Sequence, residues 1–183
     1  MSAEVRVWDP LTRIAHWTLA ASVLAAWATS EADVEALKRA HEWLGYAALA
    51  VVALRLAWGA VGPRYARFRQ FVLSPARTLA YARTVVAFAE PRYLGHNPLG
   101  GWMVVALLAM AAAAGLSGWL SVTDRFWGVK WVQELHEGLA NTLLLLVAVH
   151  VAGVIFTSLR HGENLVRSML TGRKRAPRPG DVP

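Results

Sequence analysis

Four apolar stretches decide what this chain can fold into. Each approaches the length of roughly 20 residues that a helix needs to cross a bilayer. They cover approximately Leu11 to Thr29, Trp43 to Val61, Leu99 to Val122 and Val132 to Leu159. The chain of 183 residues is 56% hydrophobic and only 17% charged, which is less charge than a soluble domain of this length usually carries. The sequence therefore predicts an all-α membrane protein, a bundle of four transmembrane helices in contact with lipid.

The basic residues lie mainly on one side of this predicted bundle. Of the 19 Lys and Arg residues, 14 precede span one, separate spans two and three, or follow span four. They are Arg6, Arg13, Arg64, Arg67, Arg69, Arg77, Arg83, Arg92, Arg160, Arg167, Arg173, Lys174, Arg175 and Arg178. Because cytoplasmic loops are enriched in Lys and Arg, we expect a multi-pass protein of the bacterial inner membrane with both termini in the cytoplasm. The net charge of +7 then reflects topology and does not predict binding to nucleic acid.

The long loop between spans two and three contains a further helix signal. Its segment SPARTLAYARTVVAFAE begins with Ser74 and Pro75, a cap-like serine followed by proline at the first helical position. We expect an additional amphipathic helix here, on the cytoplasmic surface. The ending RKRAPRPGDVP is basic and rich in proline, a composition that favours disorder. The sequence thus predicts one transmembrane domain over residues 1–175 and a flexible cytoplasmic tail over residues 176–183.

Four of the six histidines form two pairs, and the two members of each pair lie at the same predicted depth in the membrane. His136 and His150 are 14 residues apart, so on a helix they share one face and lie about 21 Å apart along the axis. His16 lies near the cytoplasmic end of span one, and His41 lies where span two begins on the outer side. His16 and His150 therefore share the inner depth. His41 and His136 share the outer depth.

A pair of histidines on adjacent helices is a ligand set for b-type haem. The chain has no cysteine, which excludes disulfides, iron–sulfur clusters and covalently attached c-type haem. Zinc is the competing metal, but two histidines at each depth, with no nearby carboxylate at the inner one, make a poor tetrahedral site. Any single histidine could instead form a hydrogen bond between helices. The match by twos favours two haem b groups, one held by His16 with His150 and the other by His41 with His136.

Two arginines are candidates for binding the haem propionates. Arg55 follows His41 by 14 residues, which places it on the same helix face near the cytoplasmic end. Arg13 precedes His16 by about one turn. A buried arginine needs an anion, and a propionate is one. The alternatives are that Arg55 extends to a lipid phosphate and that Arg13 is an ordinary cytoplasmic anchor.

Glycines near the proposed ligands have two interpretations. A glycine within one turn of a ligand lets a flat porphyrin approach the backbone, or it lets two helices pack closely. These glycines are Gly45, Gly138 and Gly153. We interpret Gly115 and Gly118 of span three as packing glycines. His96 and His161 match no depth, and we expect both to be surface or headgroup residues.

Five segments carry a resemblance to a known family. They are VWDPLTRIAHW, RAHEWLGYAALAVVALRLAW, GHNPLGG, ELHEG and HVAGVIFTSLRHGENLVRSMLTGRK. Together they resemble the bacterial cytochrome b561 family, which includes the b-type cytochrome subunits of membrane-bound nickel-iron hydrogenases. The resemblance covers about residues 5 to 175. It implies four transmembrane helices and two b haems, and it implies the ligands His16, His41, His136 and His150. GHNPLGG and LRHGENLV look closer to the hydrogenase-type branch, and no quinone-site motif is evident.

Two stacked haems predict an electron conduit across the membrane. The partners would be quinone or quinol in the membrane and a periplasmic redox protein, either cytochrome c or hydrogenase-like. The chain would then be an electron-transfer protein or a subunit of an oxidoreductase complex, with no catalytic residue of its own. A second hypothesis is a stand-alone superoxide- or quinol-handling oxidoreductase with quinone as acceptor, whose positive entrance Lys38, Arg39 and Lys130 could provide. A third, a haem-free membrane anchor or assembly subunit, would leave the four histidines unexplained.

Overall fold

The computed structural model describes residues 4–31 and 33–183, which form mainly helices. The helices are α1 (Pro10–Ala28), α2 (Glu35–Val61), α3 (Phe68–Phe71), α4 (Pro75–Val86), α5 (Pro98–Ser121), α6 (Lys130–His161) and α7 (Leu165–Thr171). A 3-10 turn covers Arg64–Ala66, and two short strands are β1 (Glu4–Arg6) and β2 (Arg173–Arg175). The prediction of a helical protein is confirmed, with a small sheet that the sequence analysis did not predict.

All four predicted spans are helices, namely α1, α2, α5 and α6. Among the described helices, α2, α5 and α6 are long and apolar enough to cross a membrane. The count of four spans is not confirmed, because α1, which carries Arg13 and His16 in its first two turns, is not among these three. Helix α2 begins at Glu35, eight residues before the predicted start of its span, so His41 lies in its second turn.

The predicted helix of the middle loop is confirmed as α4, which begins at Pro75 as expected and ends at Val86. Ser74 occupies the N-cap position, but its side chain makes no capping hydrogen bond. Its main-chain oxygen instead accepts hydrogen bonds from the main-chain and side-chain groups of Thr78. The proline, whose fixed φ suits the first helical turn, therefore marks the start of α4 more clearly than the serine does.

The chain forms two compact units. The first, which we call the terminal unit, comprises Met1–Arg13, Ala57–Val105 and Val149–Pro183. The second, the central unit, comprises Ile14–Leu56 and Ala106–Ala148.

Residues close to both ends of the chain pair within the terminal unit. Strands β1 and β2 are antiparallel, and Val5 lies opposite Lys174. Gly172 ends α7 in the left-handed conformation, with φ of +79°, and its carbonyl oxygen accepts the N–H groups of Val7 at 2.9 Å and Trp8 at 3.1 Å. A side chain at Gly172 would meet the carbonyl oxygen of Trp8. Both this contact and the left-handed φ therefore require a residue without a Cβ atom.

The C-terminal tail, whose composition favours flexibility, makes specific contacts within the terminal unit. Val182 donates its N–H to the carbonyl oxygen of Arg92 at 2.8 Å and accepts the N–H of Leu94 at 2.9 Å. Asp181 forms an ion pair of 2.5 Å with the Arg92 guanidinium. The partners all lie in the loop between α4 and α5, far away in sequence. The amino-acid composition of the tail alone cannot predict contacts with these partners.

Arg92 is the centre of a buried cluster of charges in the terminal unit. Its guanidinium lies 2.6 Å from a Glu163 oxygen and 2.5 Å from an Asp181 oxygen, and its side chain is only 4% exposed. The Lys174 ammonium lies 3.8 Å from Glu163. Burial alone would raise the pKa of Glu163, but the hydrogen bonds from Arg92 and the nearby Lys174 charge outweigh burial and hold the pKa below its usual range. Two cations and two carboxylates thus compensate one another.

We expect this cluster to lose stability in acid. The pKa values of Glu163 and Asp181 are both lowered in the folded protein, so the unfolded chain binds protons first as the pH falls. The stabilisation is fully present above the unfolded values of 4.5 and 3.8, and it is lost as the pH falls through the lower folded values. Thermal unfolding in detergent, measured at several pH values from 6 to 3, should show a falling Tm. A Tm that stays constant over this range would contradict the expectation.

Candidate functional site

His41 and His136 lie side by side in the central unit. Each occupies the second turn of its helix, His41 in α2 and His136 in α6. Their ring centres are 6.0 Å apart, and the ring planes are nearly perpendicular, at 88°. The structure therefore brings together the two histidines that the sequence analysis assigned to the outer depth.

Main-chain carbonyl groups orient both rings. The Nδ1 atom of His41 lies 2.8 Å from the carbonyl oxygen of Ala26, and the Nδ1 atom of His136 lies 2.9 Å from that of Ala114. A carbonyl oxygen can only accept, so both Nδ1 atoms carry the hydrogen and donate it. The lone pair of each imidazole is then on Nε2. This is the arrangement found in metal-binding histidines, where a hydrogen bond from one ring nitrogen fixes the other as the ligand.

Ring centres 6.0 Å apart are within the reach of one shared metal. An imidazole that binds a metal at about 2.0 Å has its ring centre about 3.1 Å from the metal, so two such centres can be at most about 6.2 Å apart. Among the described residues, no group of three or more His, Asp or Glu side chains could hold a metal ion. Two imidazoles leave tetrahedral zinc two ligands short, whereas two histidines would be a sufficient protein ligand set for a b-type haem.

A cavity of about 190 Å³ includes both histidines in its lining. Gly45 also lines the cavity, and a Cβ atom built there would meet nothing within 4 Å. The open space beside Gly45 agrees with the interpretation that this glycine leaves room for a flat group.

Gly118 is a site residue that the sequence analysis missed. A Cβ atom at this position would lie 2.9 Å from Cε1 and 3.2 Å from Nδ1 of His136. The interpretation of Gly118 as a packing glycine agrees with this close contact between α5 and α6, and the contact adds that its neighbour is the candidate ligand. The same interpretation is confirmed for Gly115, whose Cβ would lie 2.6 Å from Leu49. Ser117, with its hydroxyl oxygen 3.2 Å from Nδ1 of His136, is a second missed neighbour. Nothing in the sequence alone links span three to this histidine.

The proposed inner ligands are half-buried residues of two different helices. His16 in α1 packs against Trp17, with ring centres 4.9 Å apart. His150 lies in α6, the same uninterrupted helix that contains His136. His16 belongs to the central unit and His150 to the terminal unit, so their pairing stays a prediction.

The two arginines have different surroundings. Arg55 is a buried residue of α2, only 8% exposed. Arg13 donates hydrogen bonds to the carbonyl oxygens of Met169, at 3.3 Å, and Leu170 at the end of α7. These contacts add a structural role for Arg13, since the last carbonyl groups of a helix lack partners within the helix. Binding of a propionate by either arginine stays a prediction.

His96 is not the surface residue that we expected. Its ring lies between Trp8, with ring centres 4.8 Å apart, and Phe71, with ring centres 4.6 Å apart. The adjacent Asn97 accepts the N–H of Gly100 at 2.7 Å and so fixes the beginning of α5. The loop before α5 therefore has a defined conformation in which His96 packs among aromatic rings, a long-range arrangement that its position in a loop does not indicate.

A comparison with protein-family models gives one finding for this chain. The model described as prokaryotic cytochrome b561 matches residues 7–172, a range that includes all four candidate ligands, Arg13 and Arg55. Comparisons with curated proteins and with solved structures give no significant match. The family consists of membrane b-type cytochromes, which bind haem generally through histidines and act in electron transfer. Because the match covers most of the chain, the protein belongs to the prokaryotic cytochrome b561 family.

Proposed function

We propose that the chain is a di-haem b-type cytochrome that transfers electrons across the bacterial inner membrane. Its partners are the quinone/quinol pool and a periplasmic redox protein, either cytochrome c or hydrogenase-like. The observation that carries the proposal is the pair His41 and His136, whose rings lie 6.0 Å apart with both Nδ1 atoms on carbonyl oxygens. When bound, haem supplies one-electron oxidation and reduction at its iron.

The outer haem is held by His41 and His136. The carbonyl groups of Ala26 and Ala114 accept the Nδ1 hydrogens, which fixes each ring orientation and makes Nε2 more basic. Gly118 keeps the space beside the His136 ring free of a side chain. The chain would thus supply two oriented imidazole ligands to the haem.

The inner haem is assigned to His16 and His150. Support comes from α6, one continuous helix in which 14 residues separate His150 from His136, a spacing of about 21 Å along one face. Arg55 is buried, as a partner of a propionate should be, and Arg13 lies one turn before His16. Two haems at these depths would allow an electron to pass between the two sides of the membrane.

Contacts within the terminal unit support α1 as a fourth span despite its polar first turns. The indole N–H of Trp58, near the end of α2, donates to the Asp9 carboxylate at 3.1 Å, just before α1 begins. Residues in contact lie on the same side of a membrane, so the chain between them crosses an even number of times. Helix α2 supplies one crossing, and α1 is the other described helix in this interval. The pairing of β1 with β2 likewise supports both termini on one side, which the basic residues assign to the cytoplasm.

The haem content of the purified protein tests the proposal. A pyridine haemochrome assay with a protein determination, on detergent-purified material, should give two b haems per chain. A ratio of one would mean that one histidine pair is structural. A ratio of zero would overturn the proposal and leave only the helical topology.

One observation favours a second function, a superoxide- or quinol-handling oxidoreductase with quinone as acceptor. Lys38 lines the cavity beside His41 and His136 and could attract an anion. Glu42 also lines this cavity, and Lys130 lies 3.5 Å from Glu134, so the positive charge is partly offset. Reduction of quinone by superoxide with the isolated chain as catalyst would favour this function. Co-purification of a periplasmic redox protein would favour the conduit.

We expect Gly118→Ala to lower the occupancy of the outer haem. The new methyl group would lie 2.9 Å from the His136 ring, so the ring must move and its hydrogen bond to Ala114 is strained. The haem-to-protein ratio should fall from two toward one. Gly59→Ala is the matched control, because its methyl group meets the Phe68 ring and Gly59 is not part of the cavity lining. Equal haem ratios in the two variants would contradict this role of Gly118.

A further inference from the structure

A second cavity lies in the terminal unit directly after α2. Its volume is about 330 Å³, and it is lined by Arg64, Arg67, Arg69 and Gln70. These residues follow the end of a candidate membrane span at Val61 by only three to nine positions. None of them takes part in the haem sites proposed above.

The positive charge of this cavity is not neutralised by carboxylates. The ion pairs found among residues 4–31 and 33–183 do not involve Arg64, Arg67 or Arg69. Arg67 donates its Nε–H to the carbonyl oxygen of Gly62 at 2.5 Å, and Arg64 lies over the Tyr65 ring at 5.4 Å. A guanidinium has five N–H donors, so these contacts fix the two side chains and leave most donors for a ligand.

The side chains that line this cavity favour a phosphate group as the ligand. Three cations around one cavity disfavour a cation or a neutral apolar ligand, and guanidinium groups bind phosphate oxygens in pairs. The amide of Gln70 adds a further donor. Gly95 allows this arrangement, because a Cβ atom there would lie 3.0 Å from the Gln70 side-chain oxygen and 2.9 Å from the Tyr65 ring.

The position of the cavity favours a lipid as the source of the phosphate. Val61, the last residue of α2, is 74% exposed, as expected for a residue that contacts lipid. The arginines that follow it would lie at the depth of the headgroups, where basic pockets bind anionic phospholipids. We propose that Arg64, Arg67, Arg69 and Gln70 form a binding site for the phosphate of an anionic phospholipid headgroup. This site goes beyond the electron-transfer function and requires neither haem.

The test compares two double variants that remove the same charge. Arg64→Gln with Arg69→Gln removes two exposed cations of the cavity, and Arg77→Gln with Arg83→Gln removes two exposed cations of α4 outside it. Each protein is purified in uncharged detergent, depleted of lipid and titrated with phosphatidylglycerol, phosphatidylcholine or inorganic phosphate. Bound ligand is counted by native mass spectrometry. The haem spectrum reports whether each variant is folded, and Arg69→Gln alone replaces the first double variant if that variant is not.

We expect saturable binding of phosphatidylglycerol to the unaltered protein, much weaker binding of phosphatidylcholine, and an affinity at least about tenfold lower in the cavity variant. The α4 variant should bind within about twofold of the unaltered protein. Equal weakening in both double variants would overturn the proposal, because the attraction would then be diffuse. Inorganic phosphate that binds as tightly as phosphatidylglycerol would overturn the assignment to lipid and identify the ligand as free phosphate. Binding that does not distinguish the two lipids would also overturn it.

Discussion

His136→Ala should lower the haem content from two b haems per chain to about one. The substitution removes one of two axial ligands from the outer site, and among the described residues no further His, Asp or Glu is placed to complete a set of three. His41→Ala should have the same effect, because the two rings lie side by side with their centres 6.0 Å apart. The haem-to-protein ratio and the low-temperature absorption spectrum measure the loss.

The same experiment tests how the ligands pair. His16→Ala and His150→Ala should each remove the other haem and leave the outer signal intact. His161→Ala is the matched control, since this histidine ends α6 and is not a proposed ligand. If His16→Ala and His136→Ala abolished the same absorption band, the pairing by depth would be wrong.

Arg92→Met should lower the stability of the terminal unit by about 3–5 kcal/mol, because it leaves two buried carboxylates without their partner. The Arg92 side chain is 4% exposed, and those of Glu163 and Asp181 are 9% and 10% exposed. Its guanidinium also donates to the carbonyl oxygen of Arg175 at 2.9 Å, which attaches β2. Unfolding in detergent, followed by the fluorescence of the nine tryptophans, measures the effect as a lower Tm.

Arg173→Gln is the control for Arg92→Met. Arg173 pairs with Glu4 at 3.8 Å, and both side chains are about half exposed. A surface pair of this kind contributes at most about 1 kcal/mol. Adding Glu163→Gln and Asp181→Asn to Arg92→Met should recover part of the loss, because the uncompensated charges are then removed. A Tm that changes equally little for Arg92→Met and Arg173→Gln would show that the buried cluster contributes nothing.

The helices were predictable because a bilayer leaves few alternatives. A backbone in lipid must satisfy its own hydrogen bonds, so long apolar stretches such as those of α5 and α6 become helices. The beginning of α2 was predicted eight residues late, since Glu35, Lys38 and Arg39 are too polar for a membrane span but continue the same helix. The length of an apolar stretch predicts the part of a helix that lies in the membrane. The helix itself can extend beyond that part, as far as its main-chain hydrogen bonds continue.

For the candidate site, the sequence predicts only the depth of each histidine in the membrane. Residue counting along the spans places His41 and His136 at one level, and the structure brings them together. Residue counting cannot identify the contact of Gly118 with His136 or that of the Ala26 carbonyl oxygen with His41. Both contacts depend on how each helix is rotated about its axis. The contact of Arg92 with Asp181 is missed for another reason, since it joins residues 89 positions apart in segments that show no periodic pattern.

The pairing of β1 with β2 has a consequence for how the protein is made. Glu4–Arg6 leaves the ribosome before any of the described helices, and Arg173–Arg175 leaves it after the last of them. The first strand therefore has no partner while these helices are synthesised. A nascent chain that stops before residue 173 would leave Glu4–Arg6 unpaired, so this small sheet distinguishes a chain that extends past residue 175 from one that stops before residue 173.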